Sequence, residues 1–83
     1  MKLDLVYFAW VRERVGIPRE TVETRAETVG DLIAELSKRD LRYNLAFSDL
    51  SAVRVAVDQT LAPIETPLSG AKEVAFFPPM TGG

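Results

Sequence analysis

The sequence predicts an α+β fold, a two-layer roll with one main helix packed on one face of a mixed sheet. Three observations predict it: apolar residues alternate over residues 1–8, a capped amphipathic helix reads at 29–38, and alternation returns at Glu73–Phe77. At 83 residues the chain is one domain, and a chain of this size buries only about 60–65% of the surface its unfolded form exposes. A composition of 47% hydrophobic and 27% charged residues is that of a globular protein.

In the first strand Leu3, Leu5 and Tyr7 share one face, and Lys2, Asp4, Val6 and Phe8 the other. The charged pair marks the second face as the outer one. Residues 9–15 form a short helical turn, closed by Gly16 as a C-cap and stopped by Pro18. Residues 19–25, with Thr21, Val22 and Thr24, read as a second strand reached through a longer loop rather than a tight hairpin. Thr28-Val29-Gly30-Asp31 is a capping pattern in which the Thr28 hydroxyl accepts from the Asp31 amide. Behind it Val29, Leu32, Ile33 and Leu36 fall at i, i+3, i+4 and i+7, one apolar stripe of a helix over 29–38. Residues 40–51 read as irregular, with Leu41, Leu45, Phe47 and Leu50 covering one end of the core. Residues 51–58 alternate, with Val53, Val55 and Val57 inward and Arg54 and Asp58 outward. Asp58-Gln59 turns the chain into a short strand over 60–62, and Pro63, Pro67 and Gly70 punctuate a loop. In the last strand Val74 and Phe76 take one face, and Glu73, Ala75 and Phe77 the other. Pro78-Pro79 ends it, since consecutive prolines cannot donate to a ladder. Strand, strand, helix, then strands is the β-grasp order of ubiquitin-like proteins, with the first and last strands side by side. The expected division is a β-grasp domain over 1–77 and an extended tail over 78–83.

Composition narrows the chemistry. Histidine and cysteine are both absent, which removes the commonest general base, the commonest metal ligand, thiol nucleophiles and disulfides. A net charge of −2 without a basic cluster argues against nucleic acid. No apolar run reaches membrane-spanning length, and Asp4 interrupts the short apolar start, so no signal peptide is read and a cytoplasmic location is expected. Glu13, Glu20, Glu23 and Glu27 read as solvated charges rather than catalytic pairs, and no glycine-rich phosphate loop is present.

Two features remain. Beyond the last strand, six residues in extended or polyproline form reach roughly 19 Å, more than the domain's expected radius of gyration of about 12 Å. Gly82-Gly83 has no side chains, so that end can thread a narrow channel and present a carboxylate. Such a carboxylate is a poor electrophile until a partner activates it, for example as an acyl-adenylate. A fortuitous glycine pair at a chain end arises in roughly one chain in 200; the fold pattern and the proline-stiffened base favour the working reading. The second feature is a set of outward apolar residues, Phe8 and Phe77 with Leu61 beside them, which suggests a protein interface. The alternative is that a loop or a short helix, with Trp10 and Val11, covers them.

The ending Glu73-Val74-Ala75-Phe76-Phe77-Pro78-Pro79-Met80-Thr81-Gly82-Gly83 resembles the small subunit of molybdopterin synthase, the MoaD-type sulfur carriers. Tyr7-Phe8-Ala9-Trp10-Val11-Arg12-Glu13, Thr28-Val29-Gly30-Asp31-Leu32 and Val55-Ala56-Val57-Asp58-Gln59 are similar to the same family, which commonly carries Asn at the position of Asp58. The resemblance implies that an adenylating, E1-like enzyme activates the Gly83 carboxylate with ATP and that sulfur transfer makes it a thiocarboxylate. It further implies that the tail, Pro78, Pro79, Met80, Thr81 and Gly82, enters a large synthase subunit. There sulfur passes to a cyclic pyranopterin precursor, building the dithiolene of the molybdenum cofactor. Phe8, Leu61 and Phe77 match the family's partner-facing positions, and a heterotetramer of two small and two large subunits is implied. No cofactor is expected on this chain. A thiamine-pathway sulfur carrier and a ubiquitin-like protein modifier share the fold and the Gly-Gly ending.

Overall fold

The fold is a computed structural model that describes residues 1–79; Met80, Thr81, Gly82 and Gly83, all expected in the working tail, lie outside the described residues. Strand β1 (Lys2–Tyr7) runs into helix α1 (Ala9–Val15), which returns the chain as β2 (Arg19–Glu23). Helix α2 (Val29–Arg39), helix α3 (Leu41–Ala46) and a 3-10 turn (Leu50–Ala52) precede β3 (Arg54–Val57), β4 (Thr60–Leu61) and β5 (Glu73–Phe77). The five strands form one mixed sheet in the order β2-β1-β5-β3-β4. The central strand β5 runs parallel to its neighbour β1, and the other neighbours are antiparallel.

The inward faces follow the alternation. Leu3, Leu5, Tyr7, Val74 and Phe76 are all buried and form one cluster with the α2 stripe of Val29, Leu32, Ile33 and Leu36. Tyr7 stacks on Phe76 with ring centroids 5.8 Å apart, and Phe47 tilts onto Phe76 at 4.9 Å. The Cα radius of gyration is 11.7 Å. Gly16 closes α1 at φ 94°, a left-handed conformation natural to glycine, with its N–H on the Arg12 carbonyl.

Helix α2 begins where its cap predicts. Thr28 Oγ1 accepts from the Asp31 N–H at 3.1 Å, while Lys38 and Arg39 sit in the last turn, complementing the helix dipole. Thr28→Ala is expected to cost about 1 kcal/mol, a melting shift of about 4–8 °C in a domain of this size. Thermal denaturation by circular dichroism checks it; an unchanged midpoint would show that the cap carries no stability.

Three expectations are corrected. Residues 40–51 are largely helical: Asp40 caps α3 through its carboxylate on the Arg42 N–H, and a 3-10 turn follows. The buried residues there are Tyr43, Ala46 and Phe47, at i, i+3 and i+4, whereas Leu41, Leu45 and Leu50 are exposed. The leucines attract attention, but the stripe that packs is built on a tyrosine and an alanine. The 3-10 turn also takes the start of the third strand, which begins at Arg54 rather than residue 51. Glu20 is the third correction. It pairs with Leu5 in register, so its side chain belongs to the inward face of the sheet. Its Oε2 accepts from the Tyr7 hydroxyl at 2.8 Å and the Tyr43 hydroxyl at 2.6 Å. A carboxylate at an inward position is tolerable only with donors of this kind; these two tie β1, β2 and α3 together.

That network makes stability sensitive to alkali. Burial, then the hydrogen bond to Glu20 and its charge, push the Tyr7 hydroxyl far above the ordinary tyrosine value of 10.0. The same causes push Tyr43 up to about 12. Both folded-state values are raised, so the stabilisation is complete below pH 10.0, where unfolded tyrosine stays neutral, and is lost as pH climbs toward about 12. Tyr43→Phe is expected to cost about 1–2 kcal/mol at neutral pH by removing a hydrogen bond to a charged group. It should also flatten the alkaline loss. Urea denaturation of both proteins at neutral pH and near pH 11 reads the two effects; parallel losses on the alkaline side would refute the linkage.

The β3–β4 connection is the expected turn and does more than turn. Asp58 and Gln59 both have positive φ (48° and 70°), giving a two-residue hairpin with primed geometry. Asp58 Oδ1 also accepts from the Lys72 and Glu73 N–H groups, each at 2.9 Å, which holds its carboxyl below the usual carboxylate range. Both bonds fall on one oxygen, which an asparagine would also offer.

Candidate functional site

The face of the sheet opposite the helices presents an apolar strip whose members come from four strands. Register places Arg19, Val6, Ala75, Ala56 and Leu61 in one line across β2, β1, β5, β3 and β4. One step toward the C-terminal end of β5, Phe77 pairs with Arg54. Phe8 continues β1 beside it, its N–H on the Phe76 carbonyl at 3.0 Å. Leu61 is 70% exposed and Phe8 48% exposed, with Phe77, Val6 and Ala56 partly so.

Local geometry explains why Phe8 stays out. It is extended (φ −125°, ψ 154°) and caps α1, and Ala9 then takes a left-handed φ of 51°. The chain therefore leaves the strand for the helix within one residue. That turn sends Val11 and Val15 into the core and packs Trp10 against it, so the helix does not cover Phe8. The Arg14 guanidinium lies over the Trp10 ring, 5.7 Å from its centroid, on the helical side of the molecule.

The predicted patch of Phe8, Leu61 and Phe77 is thus on one face. Sequence reading missed that Val6, Ala56 and Ala75 join these residues into a strip. Val6 and Ala75 were legible as outward residues, but only strand pairing shows that they are neighbours. Pro78 and Pro79, both partly exposed, carry the chain off β5 beside this strip. Among the described residues no three His, Cys, Asp or Glu side chains cluster to hold a metal ion. No helix among them is long and apolar enough to cross a membrane. The arrangement is suited to docking a protein surface, and Pro78 and Pro79 follow β5 at its edge.

Comparison with known proteins gives this surface a context. The pattern of the ThiS family matches residues 5–83. The chain belongs to the ThiS family. It is 40% identical over 81 residues to the molybdopterin synthase sulfur carrier subunit of Escherichia coli, covering 98% of this chain and 99% of that one. It is 38% identical over 85 residues to the Mycobacterium tuberculosis protein of the same name, covering 100% and 99%. Among solved structures, SAMP1 from Haloferax volcanii superposes with a TM-score of 0.74 at 22% identity, each chain covered in full, a likeness of fold. The ThiS-family match reaches the last residue of the sequence and therefore includes Gly82 and Gly83.

Proposed function

We propose that this ThiS-family chain is the sulfur-carrier subunit of a molybdopterin synthase and that Gly83 carries the sulfur. The Gly83 carboxylate attacks the α-phosphorus of ATP on an E1-like activating enzyme, releasing pyrophosphate and forming an acyl-adenylate. A sulfur nucleophile displaces AMP, leaving a thiocarboxylate. The charged tail enters the large synthase subunit and gives its sulfur to the cyclic pyranopterin precursor, toward the dithiolene of the molybdenum cofactor. The chain holds no cofactor of its own; ATP belongs to the activating enzyme, and catalytic side chains to the large subunit. Two small and two large subunits make the working assembly.

The observation that carries this reading is the position of the strip: an exposed apolar face of Phe8, Phe77 and Leu61 lies where the chain leaves β5 toward Gly-Gly. A partner gripping that face holds the tail's base, which limits the entropy lost when the tail threads a channel. Relatives named as molybdopterin synthase sulfur carrier subunits over nearly the whole chain support the same reading. The test is intact mass after incubation with an adenylating enzyme, ATP and a sulfur source, where one oxygen is exchanged for sulfur at Gly83.

A further inference from the structure

The apolar strip is bordered by two guanidinium groups. Arg19 stands at its β2 end, opposite Val6, and Arg54 stands beside Phe77 on β3. Both are exposed. Three strand spacings and one two-residue step separate their backbones by about 16 Å. Neither pairs with a carboxylate among the described residues, whose ion pairs are Met1–Glu23 and Arg42–Asp40. Arg54 Nη1 reaches only the Ser51 and Val53 carbonyls, at 3.3 and 3.4 Å. The carboxylates of this face lie toward its other end, where Glu73 is the register partner of Asp4 and Glu23 that of Lys2. Asp4 Oδ1 accepts from the Thr21 hydroxyl at 2.8 Å, and Asp58 accepts two backbone N–H groups.

An apolar strip flanked by unpaired cations constrains what can cover it. A partner burying the strip also dehydrates the guanidiniums, which is tolerable only if it opposes them with acceptors. Arginine's planar fork matches a carboxylate with two parallel hydrogen bonds. A partner presenting lysines there is repelled. We infer that Arg19 and Arg54 are specificity-determining residues of the docking face, selecting a partner protein whose apolar patch is flanked by two carboxylates about 16 Å apart. This rests on the proposed docking to the large synthase subunit and adds the charge pattern that subunit must carry. The two arginines flank the strip diagonally, so they also fix the partner's rotation on the sheet and hence the direction in which the tail is fed.

The test measures association of the full chain with its cognate large subunit by stopped flow, at about 50 mM and about 500 mM salt. Arg19→Glu with Arg54→Glu is expected to slow association about tenfold or more at low salt, the gap closing at high salt, because rim charges act on the on-rate. Arg19→Lys with Arg54→Lys keeps the on-rate within about twofold, since the charge is retained. Arg19→Gln with Arg54→Gln falls between. All the substitutions fall at two exposed positions, so an unchanged melting curve accompanies each variant. Association of the Glu pair at the wild-type rate, or faster, overturns the inference while leaving the carrier reading intact. Failure of the wild-type chain to bind the large subunit overturns both.

Discussion

Deleting Gly83 is expected to abolish sulfur transfer while leaving the domain's melting curve unchanged. The deletion moves the terminal carboxylate back by one residue, roughly 3.3 Å in an extended chain. Acyl transfer needs its reacting atoms within about 3–3.5 Å and correctly oriented, so the displacement equals the whole tolerance. Appending a residue after Gly83 fails for the same reason and adds bulk at the channel. Neither change reaches the core, whose buried residues, among those described, end at Phe76. The measurements are thiocarboxylate formation by intact mass and dithiolene production with the large subunit. If the shortened chain performs both at the parent rate, the carrier mechanism is wrong and a plain β-grasp binding module becomes the better account.

Phe77→Asp is expected to leave the fold intact and weaken binding to the large subunit about 100-fold, the scale of an interface hot spot that then confronts an apolar surface with an unpaired charge. Its neighbour predicts the reverse. Phe76 is fully buried against Tyr7 and Phe47, and truncating such a ring alone costs about 3–5 kcal/mol, before the added cost of a buried carboxylate. Phe76→Asp is therefore expected to unfold the domain. Circular dichroism and a binding titration on the two variants separate the roles. An unfolded Phe77→Asp protein would show that the outward face of β5 contributes to the core.

The parts of the site read most directly from sequence are those set by neighbours along the chain. Alternation placed Tyr7 inside and Phe8 outside, and Phe76 inside and Phe77 outside, because a strand turns successive side chains to opposite faces. Helix α2 was legible because its cap and stripe lie within one stretch of chain, from Thr28 to Leu36. Helix α3 was not, since its packing stripe includes Ala46, which only a finished core distinguishes from any other alanine. Glu20 reads as one of several acidic residues until β2 pairs with β1 and brings its carboxylate to Tyr7 and Tyr43, 13 and 23 residues away in sequence.

The sequence by itself determined the α+β class, the parity of each strand and, through its resemblance along the whole chain, the family. Each of these depends on local order or on residues matched one by one. Tertiary structure decided which outward residues meet. Arg19, Val6, Ala75, Ala56 and Leu61 stand in one row although Val6 and Ala75 are 69 residues apart in sequence, because β5 inserts between β1 and β3 and sets their register through backbone hydrogen bonds. Those bonds are common to all residue types and leave no mark on any one segment, so the strip and its two flanking arginines exist only once the sheet has closed.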